Sequence, residues 1–245
     1  MSEANTEAGR PPVALITGAT AGIGRVVARE LAARGMTTLL GYRNRERGER
    51  VAAELGADGR VIPVHLDVTR ESTIAAAAEW IEAEFGVLDV LVNNAGVNVG
   101  SNVPSEVTAE DMRQVYETNV VGVVATTHAM LPLLSRAEAA RVVNVSSQLG
   151  SLALASAPDN PWHSLLAYHS SKSALNMLTV HYAREFADTP MKINSVCPGR
   201  CATAINDFTG TRTPEQGAEV VLRFATLGPD GPTGGFFNDE GRIGW

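Results

Sequence analysis

The sequence contains only two cysteines in 245 residues, Cys197 and Cys201, and no cluster of histidine and cysteine accompanies them. Structural zinc sites need about four such ligands, and small disulfide scaffolds are dense in cysteine. Neither framework is expected here, and no metal is predicted. We interpret both residues as reduced thiols of a cytoplasmic protein.

Positive charge and long apolar runs are also scarce. The formal net charge is −7 at pH 7, which argues against nucleic acid or an anionic membrane as a partner. No apolar run approaches the roughly 20 residues of a membrane span. Residues 1–10 are polar and lack the apolar core of a signal peptide. We therefore expect a flexible tail over residues 1–10 and a cytoplasmic location.

The rest of the chain, residues 11–245, has no internal repeat, linker or change in composition, so it is predicted to form a single domain. Short apolar segments alternate with helical patterns. Strands are predicted at 13–16, 37–42, 61–66, 88–92, 141–145, 191–196 and 235–237. Helices are predicted at 24–34, 46–55, 71–85, 109–134, 165–186 and 214–227. This alternation predicts an α/β fold: a single doubly wound Rossmann domain with a parallel sheet of about seven strands and helices on both faces.

A glycine-rich turn follows the first predicted strand, with the pattern T-G-x-x-x-G-x-G over residues 17–24. Gly18, Gly22 and Gly24 would let the backbone approach a pyrophosphate closely. The helix that follows would present free N–H groups and its positive dipole end to that anion. The pattern indicates a dinucleotide site, although a tight structural turn is the alternative when the motif is taken alone.

The end of the second strand bears on the choice of cofactor. Sites that prefer NAD place an acid about 20 residues beyond the glycine turn, on the ribose 2′-OH. This chain has no acid between residues 30 and 46, and Tyr42 and Arg43 stand at the strand end instead. A guanidinium forms bidentate bonds to a 2′-phosphate. We predict a preference for NADP(H), with NAD(H) as the alternative, and interpret Arg47 and Arg50 as a solvated helix face.

The candidate catalytic pair is Tyr168 and Lys172, whose i, i+4 spacing places both side chains on one face of a helix. A free phenol has a pKa of about 10, too high for efficient proton transfer near neutrality. An ammonium at about 4 Å contributes about 4 kcal/mol at an effective dielectric constant of about 20, which would lower that pKa by roughly 3. Ser147, just past the fifth strand, would donate a hydrogen bond to a carbonyl oxygen held by Tyr168.

These motifs appear in one order: the glycine turn, N-N-A-G at residues 93–96, Ser147 and Y-x-x-x-K at residues 168–172. In this combination the chain resembles the short-chain dehydrogenase/reductase family over nearly its whole length after the tail. Residues 213–219 and 231–237 are most similar to the carbonyl reductases. Segment 148–167 is longer than in most oligomeric relatives and shorter than the insertion of the monomeric carbonyl reductases, which leaves the subgroup open.

The resemblance implies a role for each motif residue. Tyr168 would be the general acid/base, and Lys172 would hold the nicotinamide ribose and lower the pKa of Tyr168. Ser147, in preference to Ser146, would position the substrate oxygen, and Asn119 would support a water relay to Lys172. Implied cofactor contacts are Gly18, Thr20, Gly22, Ile23, Gly24, Tyr42, Arg43, Asp67, Val68, Asn94, Ala95, Gly96, Tyr168, Lys172, Pro198, Gly199 and Thr203.

The implied function is hydride transfer between NADPH and a ketone or aldehyde. An alcohol dehydrogenase acting oxidatively with NAD and a non-catalytic nucleotide-binding protein are the alternatives, and the complete catalytic set argues against the latter. The predicted pocket walls are residues 97–102, 149–166 and 200–211 with the C-terminal tail. His163 and His169 lie near Tyr168 but are not expected to be catalytic. The apolar wall residues Leu152, Leu154, Trp162 and Phe208 indicate an apolar or aromatic carbonyl substrate.

The segment between Ser147 and Tyr168 also bears on assembly. Pro158 and Pro161 disfavour a continuous helix before residue 162. Trp162, Leu165 and Leu166 would then pack over the fourth helix or rim the pocket. Covering this helical face predicts a monomer in solution, with a dimer as the alternative.

Overall fold

A parallel sheet of seven strands runs through the protein, whose computed structural model describes residues 10–56, 60–160 and 164–245. Every neighbouring pair of strands is parallel, in the order β3-β2-β1-β4-β5-β6-β7 once the strands are numbered along the chain. The strands are β1 Val13–Ile16, β2 Thr37–Tyr42, β3 Val61–His65, β4 Val90–Asn93, β5 Arg141–Val145, β6 Lys192–Val196 and β7 Phe236–Phe237.

Eight α-helices are assigned within the described ranges. They are α1 Gly22–Ala33, α2 Arg45–Leu55, α3 Glu71–Phe85, α4 Ala109–Tyr116, α5 Gly122–Leu134, α6 Leu152–Ala155, α7 Leu166–Glu185 and α8 Pro214–Ala225. Short 3₁₀ turns cover Pro104–Glu106, Gln148–Gly150 and Ala204–Asn206, and a π-helical turn covers Glu117–Val121. None of the helices in the described ranges combines the length and apolar character that a membrane crossing requires.

Two apolar cores lie on opposite faces of the sheet, because successive side chains of a strand point to opposite sides. In β1, Ala14 and Ile16 join α1, α2 and α8 on one face. Val13 and Leu15 join α3, α5 and the end of α7 on the other. This three-layer arrangement confirms the predicted fold, and the predicted strand and helix positions agree with the structure to within about two residues.

The long helix predicted at 109–134 is interrupted. It begins as expected, with Thr108 and Asp111 forming a reciprocal capping box in which the backbone N–H of each donates to the side chain of the other. The π-helical turn Glu117–Val121 then separates α4 from α5. At its end, Gly122 lies so close to β3–α3 loop residue Val68 that a Cβ there would be 2.7 Å from the Val68 carbonyl oxygen. This close contact between distant segments accounts for the π-helical turn.

The described part of segment 148–167 is not one helix, as its prolines predicted. The 3₁₀ turn Gln148–Gly150 and α6 precede α7 there, and the Leu165 N–H donates to Asn102 O at 2.9 Å. Leu166 and Met177 of α7 stay 42% and 58% exposed. The expected cover depends on Trp162 and therefore stays a prediction, although these two side chains leave apolar surface on α7. Residues 1–9 of the predicted tail and Pro161, Trp162 and His163 lie outside the described residues.

Candidate active site

The glycine turn lies between β1 and α1, where strand order reverses on either side of β1 and doubly wound sheets bind ligands. Gly18 and Gly22 have positive φ angles of 62° and 52°. A Cβ on Gly24 would lie 2.4 Å from Asn94 Nδ2. The N-cap residue Ala21 provides no side-chain hydrogen bond and the first turn of α1 carries no acid. This bare helix start behind a close-approaching backbone fits the pyrophosphate of a dinucleotide.

The N-N-A-G segment after β4 is hydrogen-bonded to this turn. Thr17 Oγ1 accepts hydrogen bonds from the backbone N–H groups of Asn94 and Ala95, each at 3.0 Å. Asn94 Nδ2 donates to Thr17 O at 2.9 Å and to Gly18 O at 3.2 Å. We call these four bonds the Thr17–Asn94 latch. Thr17 had no predicted role, although a threonine directly before Gly18 is visible in the sequence.

The structure places the Tyr42 ring in the core rather than beside a cofactor. Its ring stacks on His65 with the centroids 5.5 Å apart, and Gly48 of α2 lies directly against it. The residue is only 5% exposed. The ring is therefore turned away from a cofactor, because α2 packs over it and needs a glycine to do so, and the predicted contact of Tyr42 remains open only to its main chain.

Arg43 is exposed at the edge of a cleft of about 400 Å³. Arg47 and Arg50 are exposed, as expected for a solvated helix face, and they also line this cleft. Arg50 pairs with Glu54 at 3.8 Å, while Arg43 and Arg47 have no ion-pair partner in the described ranges. The cleft is lined by Thr20, Arg43, Asn44, Glu46, Arg47 and Arg50. With three guanidinium groups against one carboxylate, it favours an anionic ligand.

The loop after β3 carries the two residues expected near adenine. Asp67 Oδ1 accepts hydrogen bonds from the Thr69 backbone N–H at 3.0 Å and the Thr69 hydroxyl at 2.8 Å. Val68 is buried against Gly122. Both lie at the carboxyl edge of the sheet, but the carboxylate is already engaged in its own turn.

Tyr168, Lys172 and Ser147 meet at the carboxyl end of β5. Lys172 Nζ donates to Val145 O at 2.8 Å and lies 5.5 Å from the centroid of the Tyr168 ring. The Ser147 side chain hydrogen-bonds the Tyr168 phenol. Ser146 faces the other way, and its hydroxyl donates to Asn176 Oδ1 at 2.7 Å. The geometry therefore separates the two serines, with Ser147 on the Tyr168 side.

The electrostatics of this pair differ from the expectation. Burial raises the pKa of Tyr168 and the neighbouring Cys197 thiol adds to the rise, which the Ser147 hydrogen bond opposes. Burial also lowers the pKa of Lys172 to about 8. The predicted lowering of the phenol pKa by Lys172 is not observed, because desolvation dominates at both groups. The phenol accordingly stays protonated at neutral pH, the form that can donate a proton.

Asn119 lies in the π-helical turn and holds the loop after β4. Its Oδ1 accepts from Val97 N at 2.8 Å, and its Nδ2 donates to Val97 O at 2.9 Å and to Ser171 Oγ at 3.0 Å. A Cβ on Gly96 would lie 3.5 Å from Asn119 Oδ1 and 3.6 Å from Lys172 Nζ. The side chains of Asn119 and Lys172 thus flank the same point at Gly96 but make no direct hydrogen bond with each other.

The loop after β6 closes the site on the side of the glycine turn. Gly199 has a φ of 74°, and the Arg212 side chain packs against it. A Cβ on Gly22 would lie 3.1 Å from Thr203 Cγ2. Thr203 is therefore brought against the glycine turn, while the contacts of Pro198, Gly199 and Thr203 with the nicotinamide end of a cofactor stay a prediction.

A cavity of about 320 Å³ is lined in part by Gln148 and His169, which directly follow Ser147 and Tyr168 in the sequence. Burial lowers the pKa of His169, so its ring is neutral at pH 7, and its Nε2 is buried without a hydrogen-bond partner in the described ranges. The cavity is lined by Gln148, Leu149, Leu154, Ala155, Ala157, Asp159, Asn160 and His169. Its lining mixes aliphatic side chains with a few polar groups, as small-molecule sites do.

Exposed apolar side chains concentrate around this edge of the sheet. They come from the loops after β4 and β6 and from α6, the three predicted wall segments. Phe208 is 69% exposed, and both it and Asp207 have positive φ angles. The exposed apolar residues are Val99, Val103, Leu152, Leu154, Ile205 and Phe208. Such a concentration marks a binding surface for an apolar ligand. Within the described residues, no three His, Cys, Asp or Glu side chains are arranged to hold a metal ion.

Comparison with known proteins extends these observations. The sequence profile described as short chain dehydrogenase matches residues 12–213. The short-chain dehydrogenase anuI of Penicillium roqueforti is 36% identical, with 96% of this chain and 98% of that protein covered. The structure of salutaridine reductase from Papaver somniferum is similar, with a TM-score of 0.81, 29% identity and coverage of 93% and 99%. Carbonyl reductase Sniffer of D. melanogaster gives a TM-score of 0.84, 25% identity and coverage of 96% and 100%.

Proposed function

The chain belongs to the short-chain dehydrogenase family, and from this we propose that it reduces the carbonyl group of an apolar ketone or aldehyde with NADPH. Members of the family are oxidoreductases that use NAD(H) or NADP(H). One observation carries the proposal. A half-buried, protonated phenol, Tyr168, is hydrogen-bonded by Ser147 beside Lys172, at the edge of the sheet that also bears the glycine turn.

The direction of the reaction is supported by the relatives. Salutaridine reductase and carbonyl reductase Sniffer are reductases by name. The protonated state of Tyr168 agrees with this direction, because reduction of a carbonyl requires a proton donor at the oxygen. The apolar cavity and rim support a substrate that is itself largely apolar.

The glycine turn, the loop after β6 and the arginines after β2 fit a nicotinamide dinucleotide, which supplies the hydride when bound. The glycine turn and the first turn of α1 would hold its pyrophosphate. Thr203 and the Pro198–Gly199 pair would contact its nicotinamide end. Arg43, with Arg47 beside it, would bind a 2′-phosphate, which is the basis for proposing NADPH over NADH.

Tyr168 and Ser147 would share the carbonyl oxygen of the substrate. As negative charge develops there, the Tyr168 hydroxyl transfers its proton to that oxygen, and Ser147 stabilises the charge with its hydrogen bond. The Lys172 ammonium stabilises the phenolate left behind. We propose that Asn119 holds Val97 and α7 in register so that a water at Gly96 can return the proton through Lys172.

A substrate panel tests the function. Apolar ketones and aldehydes of increasing size are offered with NADPH and NADH in parallel, and nicotinamide absorbance is followed. We expect turnover of apolar carbonyl compounds and a preference for NADPH. Oxidation of alcohols with NAD alone would favour the dehydrogenase alternative. Tight dinucleotide binding without any turnover would favour a non-catalytic protein.

The assembly follows from exposure on α7. Met177 and Leu166 are exposed and Val121 beside α5 is 49% exposed, so the described residues leave apolar surface on these helices. We therefore propose the alternative, a dimer that pairs these helices.

A further inference from the structure

The short helix α6 does not hold itself in place. It has four residues and none of their side chains is buried. Leu152 is 69% exposed and Leu154 is 46% exposed. A helix of this length is unstable alone, because nucleation is costly and few bonds follow. Yet α6 provides Leu154 and Ala155 to the wall of the 320 Å³ cavity.

The C-terminal tail fixes the start of α6, while Asn160 Nδ2 donates to Leu154 O at 2.9 Å near its other end. Ser151, the fully buried N-cap of α6, donates its hydroxyl to Gly244 O at 2.7 Å and accepts from Leu154 N at 3.2 Å. The Ala153 N–H donates to the main-chain oxygen of Trp245 at 3.0 Å. Two donors at the start of the helix, one hydroxyl and one amide, are thereby tied to residues 244 and 245.

The tail is in turn fixed to the sheet. The Trp245 ring stacks on the Phe236 ring of β7, with centroids 5.6 Å apart and planes 11° from parallel. Ile243 N donates to Phe236 O at 2.7 Å, and Arg242 forms an antiparallel bridge with Phe237. Phe236 is fully buried. The tail therefore connects strand β7 to a helix that has no buried side chain of its own.

We propose that residues 242–245 form a strap that positions α6 as a wall of the substrate cavity, and that Trp245 is the positioning residue that determines which carbonyl compounds are accepted. The specificity part rests on the proposed function. Trp245 lies outside the lining of the cavity and acts through Ser151 and Ala153. Large apolar substrates use the wall and depend on the strap, whereas small aldehydes need only Ser147 and Tyr168.

The test compares Trp245→Ala with Trp245→Phe, which keeps a ring for stacking, and with Arg242→Ala as a matched control in the same segment. Hydrogen exchange of the full-length protein is measured at the amides of residues 153–156. We expect Trp245→Ala to speed this exchange roughly tenfold, since a stacked aromatic pair and the bonds it orders are lost. Exchange in α8 should not change, and Trp245→Phe should restore slow exchange in α6.

Steady-state kinetics give the second readout. In Trp245→Ala, KM for a bulky apolar ketone should rise roughly tenfold, while its kcat and the kcat/KM for a small aldehyde stay constant. Ser151→Ala removes the hydrogen bond to Gly244 O from the helix side and should raise KM in the same way. This variant replaces Trp245→Ala in the test if Trp245→Ala does not fold. Unchanged exchange at residues 153–156 overturns the strap. Faster exchange without a shift in KM overturns its role in specificity.

The two proposals fail in different ways. If the unaltered protein reduces no carbonyl compound with NADPH or NADH, the proposed function fails. The exchange experiment still decides whether the strap positions α6, because it requires no turnover.

Discussion

At the scale of single residues, the burial of Tyr168 defines its chemistry. Tyr168→Phe keeps the ring and removes the proton donor, so turnover should fall by about 10²–10⁴ while NADPH affinity is retained. Steady-state rates and a fluorescence titration of NADPH measure the two effects. Tyr182→Phe, on the same helix but packed against the core far from the site, is the matched control. If Tyr168→Phe retained most of its turnover, another group would be the acid.

Arg43 should set the preference for the phosphorylated cofactor. Loss of a charged hydrogen bond costs about 1.5–3 kcal/mol, so Arg43→Ala should weaken NADPH binding roughly 10- to 100-fold and leave NADH nearly unchanged. Calorimetric titration with each cofactor measures this. Arg45→Ala is the control, since Arg45 pairs with Glu49 and does not line the cleft. Equal affinity of the unaltered protein for both cofactors would refute the assignment.

Lys172 should make stability depend on pH. Its pKa in the folded protein is about 8, against an ordinary value of 10.5, so the unfolded chain binds more protons between these values. Stability contributed by this site therefore rises with pH through that window, by on the order of 3 kcal/mol.

Urea unfolding of the cofactor-free protein at pH 7.5 and pH 10 tests this expectation. The free energy of unfolding of the unaltered protein, minus that of Lys172→Met, should increase with pH. Lys192→Met removes the other of the two lysines in the chain and should show no such trend. If the difference in free energy of unfolding between the unaltered protein and Lys172→Met stays constant with pH, burial does not lower the pKa of Lys172.

At the scale of secondary-structure elements, the π-helical turn brings Asn119 to two elements at once. Asn119→Ala would leave the N–H and C=O of Val97 without their partners and would free Ser171 on α7. We expect a loss of roughly 2–3 kcal/mol in the free energy of unfolding, together with reduced turnover. Asn98→Ala, one residue beyond Val97, is the control for chemical denaturation. A fully stable Asn119→Ala protein would show that the clamp on Val97 is dispensable.

The elements with strong local signals were predicted from the sequence. Strands such as β1 and β5 are apolar runs bounded by turn residues, and the capping box at Thr108 is a local pattern, so their positions follow from the chain alone. The π-helical turn was missed because it depends on Gly122 meeting Val68, a contact between distant segments. No local pattern encodes such a contact.

The same difference between local patterns and contacts of distant segments explains which features of the site were predicted. The glycine turn, Ser147 and the Y-x-x-x-K spacing are visible in the sequence, and the structure brings them to one edge. The burial of Tyr42 under Gly48 and the shared cleft of Arg43 and Arg47 depend on how α2 packs. The altered pKa of Lys172 depends on desolvation. Each requires the assembled fold and could not be read from spacing.

At the scale of the whole molecule, the exposed face of α5 and α7 should determine assembly. We expect a dimer, because Met177 and Val121 leave apolar surface on helices that have no cover in the described residues. Light scattering at micromolar concentration should give twice the chain mass of 25.9 kDa.

A charge placed on this face tests the assignment. Met177→Glu should shift the mass to that of a single chain, whereas Trp80→Glu, on the exposed side of α3, should not. A mass near 25.9 kDa for the unaltered protein would instead support the monomer predicted from the sequence.

The Thr17–Asn94 latch has a consequence for how the protein is made. It joins residues 77 positions apart, so a growing polypeptide on the ribosome has no finished dinucleotide turn until β4 has emerged. The residues that tie down α6 are synthesised far later. During translation, the nascent chain thus acquires the means to hold a nucleotide well before it can select what to reduce, and ligand binding to this early intermediate would favour folding of the half already made.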